Sequence, residues 1–129
     1  MNESGTDTST RIKKFLFVNR KAPYGTIYAL EALEVVMISA AFDQDVSLAF
    51  LDDGIFQIVK GQETTFIGMK NFSQTYRALE DFGVTKLYVE RESMEARGIS
   101  GSDFIVPAEV ISVREMAELM ASQDIILSF

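Results

Sequence analysis

Two acidic residues and a glycine, Asp52, Asp53 and Gly54, directly follow an apolar run of strand length at 46–51. In an α/β domain, residues directly after such a strand lie at the edge of the sheet where ligands bind. Carboxylates there could hold Mg²⁺ and a phosphate-bearing ligand. The first apolar run, however, is followed by Asn-Arg-Lys at 19–21 rather than by acids. We therefore favour a turn or helix-capping role for the two aspartates.

A second group of charged residues follows the third apolar run, where α/β ligand sites also lie. It contains three acids and two bases, namely Glu90, Glu92, Glu95, Arg91 and Arg97. Glutamates can act as general acid or base, but nothing in the sequence pairs them with a nucleophile. A solvated helix start is the simpler interpretation of this group.

The chain has no cysteine and no histidine. It therefore lacks the residues most often used for nucleophilic catalysis and for proton transfer near neutral pH. Thiol chemistry carried by the chain itself and thiolate or imidazole metal sites are excluded for the same reason.

Length and composition predict one globular domain, since 129 residues with 47% apolar residues can form a real core. We expect residues 1–11, which are small and polar after Met1, to be a disordered tail, and residues 12–129 to form the domain. The net charge of -7 makes a general nucleic-acid binder improbable. Five basic residues flank the first predicted strand, either as a local basic patch or, as we favour, as solubilising charges: Arg11, Lys13, Lys14, Arg20 and Lys21.

No apolar segment reaches the roughly 18 residues of a membrane span, and the first residues lack the basic and apolar regions of a signal peptide. We therefore expect a cytoplasmic protein without membrane contact.

Strand and helix patterns alternate along the chain, with short connections. The strands are predicted at 15–18, 46–51, 86–90, within 104–111 and at 124–129, and the helices at 26–42, between 54 and 62, at 72–83, at 92–97 and from 113 onward. Pro107 confines the fourth strand to a sheet edge or to the residues after the proline. This βα alternation predicts a three-layer α/β/α domain with a mainly parallel five-stranded sheet and helices on both faces.

The predicted helix at 26–42 is apolar on two sides. One stripe would face the sheet, and Tyr28, Val35 and Phe42 form a second line at seven-residue spacing. This second line is either covered by a neighbouring helix or buried against another subunit. We treat Tyr28, Val35 and Phe42 as a candidate subunit interface.

The last helix carries a capping box, because Ser112 is followed three residues later by Glu115. Its predicted inner face contains Val113, Met116, Ala117 and Met120.

Four segments together resemble the DsrF/TusC proteins of the DsrE-like superfamily. They are KKFLFV at 13–18, APYGT at 22–26, FLDDGIFQ at 50–57 and DIILSF at 124–129. The resemblance covers nearly all of the chain after the predicted tail at 1–11. It implies a DsrE-like, flavodoxin-like α/β fold and membership of a sulfur-relay assembly.

In that family, three related small subunits form a heterohexamer with two copies of each. The resemblance thus implies DsrE-like and DsrH-like subunits as partners, and a DsrC/TusE-type carrier that receives persulfide sulfur. Some members serve tRNA 2-thiolation and others serve the oxidation of stored sulfur. No cofactor, metal or direct nucleic-acid contact is expected.

Sulfur-carrying subunits of the family have a cysteine just after the third strand, about eight residues before an Arg-Gly pair. The matching run here is VERESMEARG at 89–98, so the resemblance places Glu90 at the position of that thiol. A carboxylate cannot accept and pass on sulfane sulfur. The leading hypothesis is a non-catalytic subunit of a DsrEFH-like sulfurtransferase complex. The alternatives are a TusC-like subunit of a tRNA-thiolation relay, or a stand-alone binder of Mg²⁺ and phosphate at Asp52 and Asp53.

Overall fold

The computed structural model describes residues 12–20, 44–59, 77, 79–81, 83–104 and 106–128. Within these ranges lie five strands: β1 (Lys14–Asn19), β2 (Asp45–Phe50), β3 (Lys86–Glu90), β4 (Glu109–Ile111) and β5 (Ile125–Ser128). Four of them, β1, β2, β3 and β5, coincide with predicted strands to within about one residue at each end, and β4 covers only the last part of the segment predicted at 104–111. That strand begins two residues beyond Pro107, as the proline predicts.

Two α-helices are described in full, α1 (Arg91–Ala96) and α2 (Val113–Ala121), together with two 3-10 helices, Asp52–Ile58 and Gly101–Asp103. Helical residues at 77 and 79–81 end before Gly83, whose φ of 85° is the left-handed conformation of a helix stop. The predicted tail at 1–11 and the predicted long helix at 26–42 lie outside the described residues.

The sheet has the strand order β4-β3-β2-β1-β5, and all four neighbouring pairs are parallel. This confirms the predicted parallel five-stranded sheet. The order differs from the 2-1-3-4-5 order of flavodoxin. Progress across the sheet reverses between β4 and β5, which places the reversal point between the neighbouring strands β1 and β5.

Each face of the sheet carries a cluster of buried side chains that pack against helical residues. This confirms the predicted arrangement of a sheet between two helical layers. On one face, sheet residues pack with the 3-10 helix after β2 and with the helical residues near 79: Phe17, Leu48, Phe50, Val89, Ile55, Ile58 and Leu79. The opposite face packs against α2 through Leu16, Val18, Ala49, Ile111 and Met116. Continuous apolar strands are typical of sheets covered on both faces.

The predicted capping box at the start of α2 is confirmed. The Ser112 hydroxyl accepts a hydrogen bond from the Glu115 backbone N–H at 3.1 Å, and the Glu115 carboxylate accepts one from the Ser112 N–H at 2.9 Å. Two backbone donors that would lack a helical partner are thereby satisfied.

The predicted inner face of α2 is wrong in two of its four residues. Met116 is buried and Met120 is half-buried, but Val113 and Ala117 are exposed, and Leu119 is half-buried in their place. Val113 opens the helix two residues after β4 ends, so it lies beyond the strand ends. Ala117 is rotated by about 100° around the helix axis from Met116, so it lies off the face of α2 that packs on the sheet.

We expect the capping box to make stability depend on pH. The hydrogen bond from the Ser112 backbone N–H, reinforced by the Ser112 hydroxyl, lowers the pKa of Glu115 below its ordinary value. A carboxyl with a lowered pKa in the folded state adds stability above its unfolded pKa, and this stability is lost as the pH falls through the folded pKa. Urea unfolding between about pH 6 and pH 3 should show this loss in the wild type.

The control for this prediction is Glu115→Gln, because glutamine can keep the cap but does not titrate. The variant should lose less stability than the wild type on acidification. Equal losses in the two proteins would contradict the assigned role of Glu115.

No helix within the described ranges is long and apolar enough to cross a membrane.

Candidate functional site

The carboxyl ends of β1, β2 and β3 lie side by side at one edge of the sheet. The register pairs Asn19 with Phe50 and Phe50 with Val89. Residues that follow these three strands therefore meet, as expected for parallel strands. The structure brings both predicted groups together here: Asp52, Asp53 and Gly54 after β2, and Glu90 with α1 after β3.

The turn after β2 is packed tightly against the end of β1. The Leu51 N–H donates to the Asn19 carbonyl oxygen at 3.1 Å, and the Gly54 N–H donates to the Leu51 carbonyl oxygen at 3.0 Å. A Cβ atom added to Gly54 would lie 1.8 Å from the Asn19 carbonyl oxygen, which is impossible without backbone movement. Only glycine fits at this position.

Asp52 adopts a left-handed backbone conformation, with a φ of 51°. This conformation is unfavourable for residues with a Cβ, although aspartate tolerates it better than most. The two aspartates open the 3-10 helix Asp52–Ile58, and no side-chain hydrogen bond caps its start. Both aspartates therefore lie in the first turn of this 3-10 helix, and the structure does not show the predicted helix-capping role.

Asn19 is buried at the end of β1 and joins the two central strands. Its side-chain amide donates to the carbonyl oxygens of Phe17 and Ala49, both at 3.3 Å. The sequence predicts that the first strand ends at residue 18, directly before Asn19. In the structure Asn19 is instead the last residue of β1, and Arg20 follows the strand.

Ser93 is the junction between the two predicted groups. Ser93 is almost fully buried. Its hydroxyl donates to Glu90 Oε1 at 2.5 Å, and Ser93 Oγ accepts a hydrogen bond from the Asp52 backbone N–H at 3.0 Å. One hydroxyl thus connects the end of β3 to the strained residue after β2. Sequence analysis missed Ser93, whose only signal was its position three residues after Glu90, on the same side of a helix.

Each aspartate forms an ion pair with an arginine from a different segment. Arg20 Nε lies 3.2 Å from Asp52 Oδ2, and Arg97 Nη2 lies 3.0 Å from Asp53 Oδ1. Arg97 also donates from Nη1 to the Ser93 carbonyl oxygen at 3.1 Å. Exposed pairs of this kind contribute at most about 1 kcal/mol each to stability, so we interpret them as orienting contacts.

The described polar side chains at this edge mainly contact one another. The two aspartate carboxylates are bound to arginines from opposite flanks, Glu90 is bound to Ser93, and the Ser93 hydroxyl is too buried to reach a substrate. Across the part of the chain that the structure describes, no three acidic residues gather in a way that could hold a metal ion. The contacts link the segments that follow β1, β2 and β3 at one edge of the sheet.

The candidate interface on the predicted long helix, Tyr28, Val35 and Phe42, lies outside the described residues. Its role stays a prediction from the sequence.

We expect Ser93→Ala to lower the free energy of unfolding by about 1 to 2 kcal/mol, because it leaves the Asp52 N–H and the Glu90 carboxylate without their shared partner. Thr85→Ala removes an exposed hydroxyl at the other end of β3 and should change stability by less than about 0.5 kcal/mol. Urea unfolding of the two variants measures the difference. Equal effects would show that the junction at Ser93 is not needed.

A protein-family model described as the DsrE/DsrF-like family matches residues 13–129. The chain belongs to the DsrE/DsrF-like family. It is 52% identical to a protein of Allochromatium vinosum named "Intracellular sulfur oxidation protein DsrF", over 92% of this chain and 97% of that protein. It is 31% identical to a "Protein TusC homolog" of Pseudomonas aeruginosa, over 90% of this chain and 98% of that protein.

Solved structures of other proteins share the α/β fold of this chain. The YchN protein of Escherichia coli superposes with a TM-score of 0.76 over 92% of this chain and 100% of that chain, at 23% identity. A protein of unknown function from Methanobacterium thermoautotrophicum, MTH1491, superposes with a TM-score of 0.68 at 15% identity, over 91% of this chain and 99% of that chain. At these identities the likeness concerns the fold alone.

Proposed function

We propose that this chain is a non-catalytic subunit of a sulfurtransferase complex that relays persulfide sulfur to a DsrC-type carrier during sulfur oxidation. The observation that carries the proposal is the absence of cysteine from a chain that is 52% identical to a sulfur oxidation protein over nearly its whole length. Its partners would be DsrE-like and DsrH-like subunits in a cytoplasmic heterohexamer with two copies of each.

The chemistry of sulfur transfer supports the non-catalytic part of the proposal. Persulfide sulfur moves when a thiolate attacks a sulfur atom, so a carrier needs a thiol that can be both loaded and attacked. Neither the cysteine nor any substitute thiol is present in this sequence. The sulfur must therefore travel through other members of the complex.

The geometry around Glu90 supports a structural role at the position where, by family resemblance, the carriers have their thiol. The Glu90 carboxylate accepts the hydrogen bond of the Ser93 hydroxyl, and Ser93 in turn binds the turn after β2. Glu90 thus has no reactive thiol, and its carboxylate instead helps to join the segment after β3 to the turn after β2 through Ser93. An edge of the sheet held together by such contacts could bind a neighbouring subunit without taking part in sulfur transfer.

The experiment that tests the non-catalytic role is sulfur loading followed by intact-mass measurement. The purified chain, incubated with a persulfide donor and then with a DsrC-type carrier, should keep its mass and transfer nothing. Glu90→Cys is the positive control, because it should gain the mass of sulfur. If the wild-type chain alone gains sulfur and delivers it to the carrier, the proposal is wrong.

The second candidate is a TusC-like subunit of a relay that serves tRNA 2-thiolation. The 31% identity to the Pseudomonas aeruginosa homologue favours it, but the 52% identity to the DsrF protein favours sulfur oxidation more strongly. Deletion of the gene separates the two. Loss of sulfur oxidation with normal tRNA 2-thiolation supports the first role, and the reverse result supports the second.

A stand-alone binder of Mg²⁺ and phosphate is the alternative from another class. Within the described residues no three acidic residues gather in a way that could hold a metal ion, which does not favour this alternative. The exposed ion pairs of Asp52 with Arg20 and of Asp53 with Arg97 add only weak competition for a cation. Calorimetry with Mg²⁺ and nucleotides should show no saturable heat. Saturable heat that Asp52→Ala or Asp53→Ala abolishes would establish this alternative.

A further inference from the structure

We draw no further inference here: the strongest candidate, the groove of about 310 Å³ lined by Tyr88 and Glu109 where β3 pairs with β4, carries nothing because it is open to solvent and nothing in the described part of the structure shows what covers it.

Discussion

Gly54→Ala is expected to destabilise the protein by about 3 kcal/mol or more, and the variant protein should be largely insoluble or unfolded at ordinary temperature. The added methyl group would lie 1.8 Å from the Asn19 carbonyl oxygen and 2.9 Å from the Arg20 nitrogen. Both are backbone atoms, so no side-chain rotation can relieve the overlap. The turn after β2 would have to move away from β1, and the contacts around Ser93 would be lost with it.

The matched control is Gly101→Ala. A Cβ at Gly101 meets nothing within 4 Å, and Gly101 does not have a left-handed backbone. Gly101→Ala should change the free energy of unfolding by less than about 1 kcal/mol, and it could even stabilise the protein by restricting the unfolded chain. Urea unfolding of both variants gives the comparison. A Gly54→Ala variant as stable as Gly101→Ala would mean that the turn does not approach β1 as closely as described.

Met116→Ala has the second-largest expected effect, a loss of about 2 to 5 kcal/mol. Met116 is the one fully buried side chain among the described residues of α2, and it packs on the face of the sheet formed by Leu16, Val18 and Ala49. Its removal leaves a cavity between helix and sheet that the surrounding residues can fill only in part.

Val113→Ala is the comparison within the same helix, since the sequence predicts both residues on the inner face of α2. Because Val113 is 48% exposed, its truncation should cost less than about 1 kcal/mol. Thermal or urea unfolding of Met116→Ala and Val113→Ala shows whether Val113 is exposed, as in the structure, or lies on the inner face, as the sequence predicts. Equal losses would contradict the exposed position of Val113.

The strands and the order of elements along the chain could be predicted from local patterns. Continuous apolar runs bounded by turn residues located β1, β2 and β3, Pro107 confined β4 to a short edge strand, and the spacing of Ser112 and Glu115 located the start of α2. In each case the physical cause acts over a few residues, so the sequence displays it directly.

The contacts of the candidate site could be predicted only in part. That residues after β2 and β3 meet follows from the parallel sheet, and the acids at 52, 53 and 90 were located on this basis. The hydrogen bond between Ser93 and Asp52 joins residues 41 positions apart, and the close approach of Gly54 to Asn19 joins residues 35 apart. Such contacts depend on the exact packing of two loops, which no local pattern encodes.

The order of the strands in the sheet likewise could not be predicted from local sequence patterns. Alternation of strands and helices predicts a parallel sheet, but several orders satisfy it, and the observed order reverses only at β5. The observed order places β5 beside β1 at one edge of the sheet. The inner-face error in α2 has a related cause, since helical spacing gives the apolar stripe but does not show where the sheet ends beneath it.

Association with other subunits is the central claim, because a chain without a thiol can serve sulfur transfer only as part of a complex. The most direct measurement is native mass spectrometry of the full chain co-expressed with the DsrE-like and DsrH-like proteins of its own organism. We expect one assembly that contains two copies of this chain and two of each partner. If this chain is instead recovered free of both partners at every concentration, the account is contradicted.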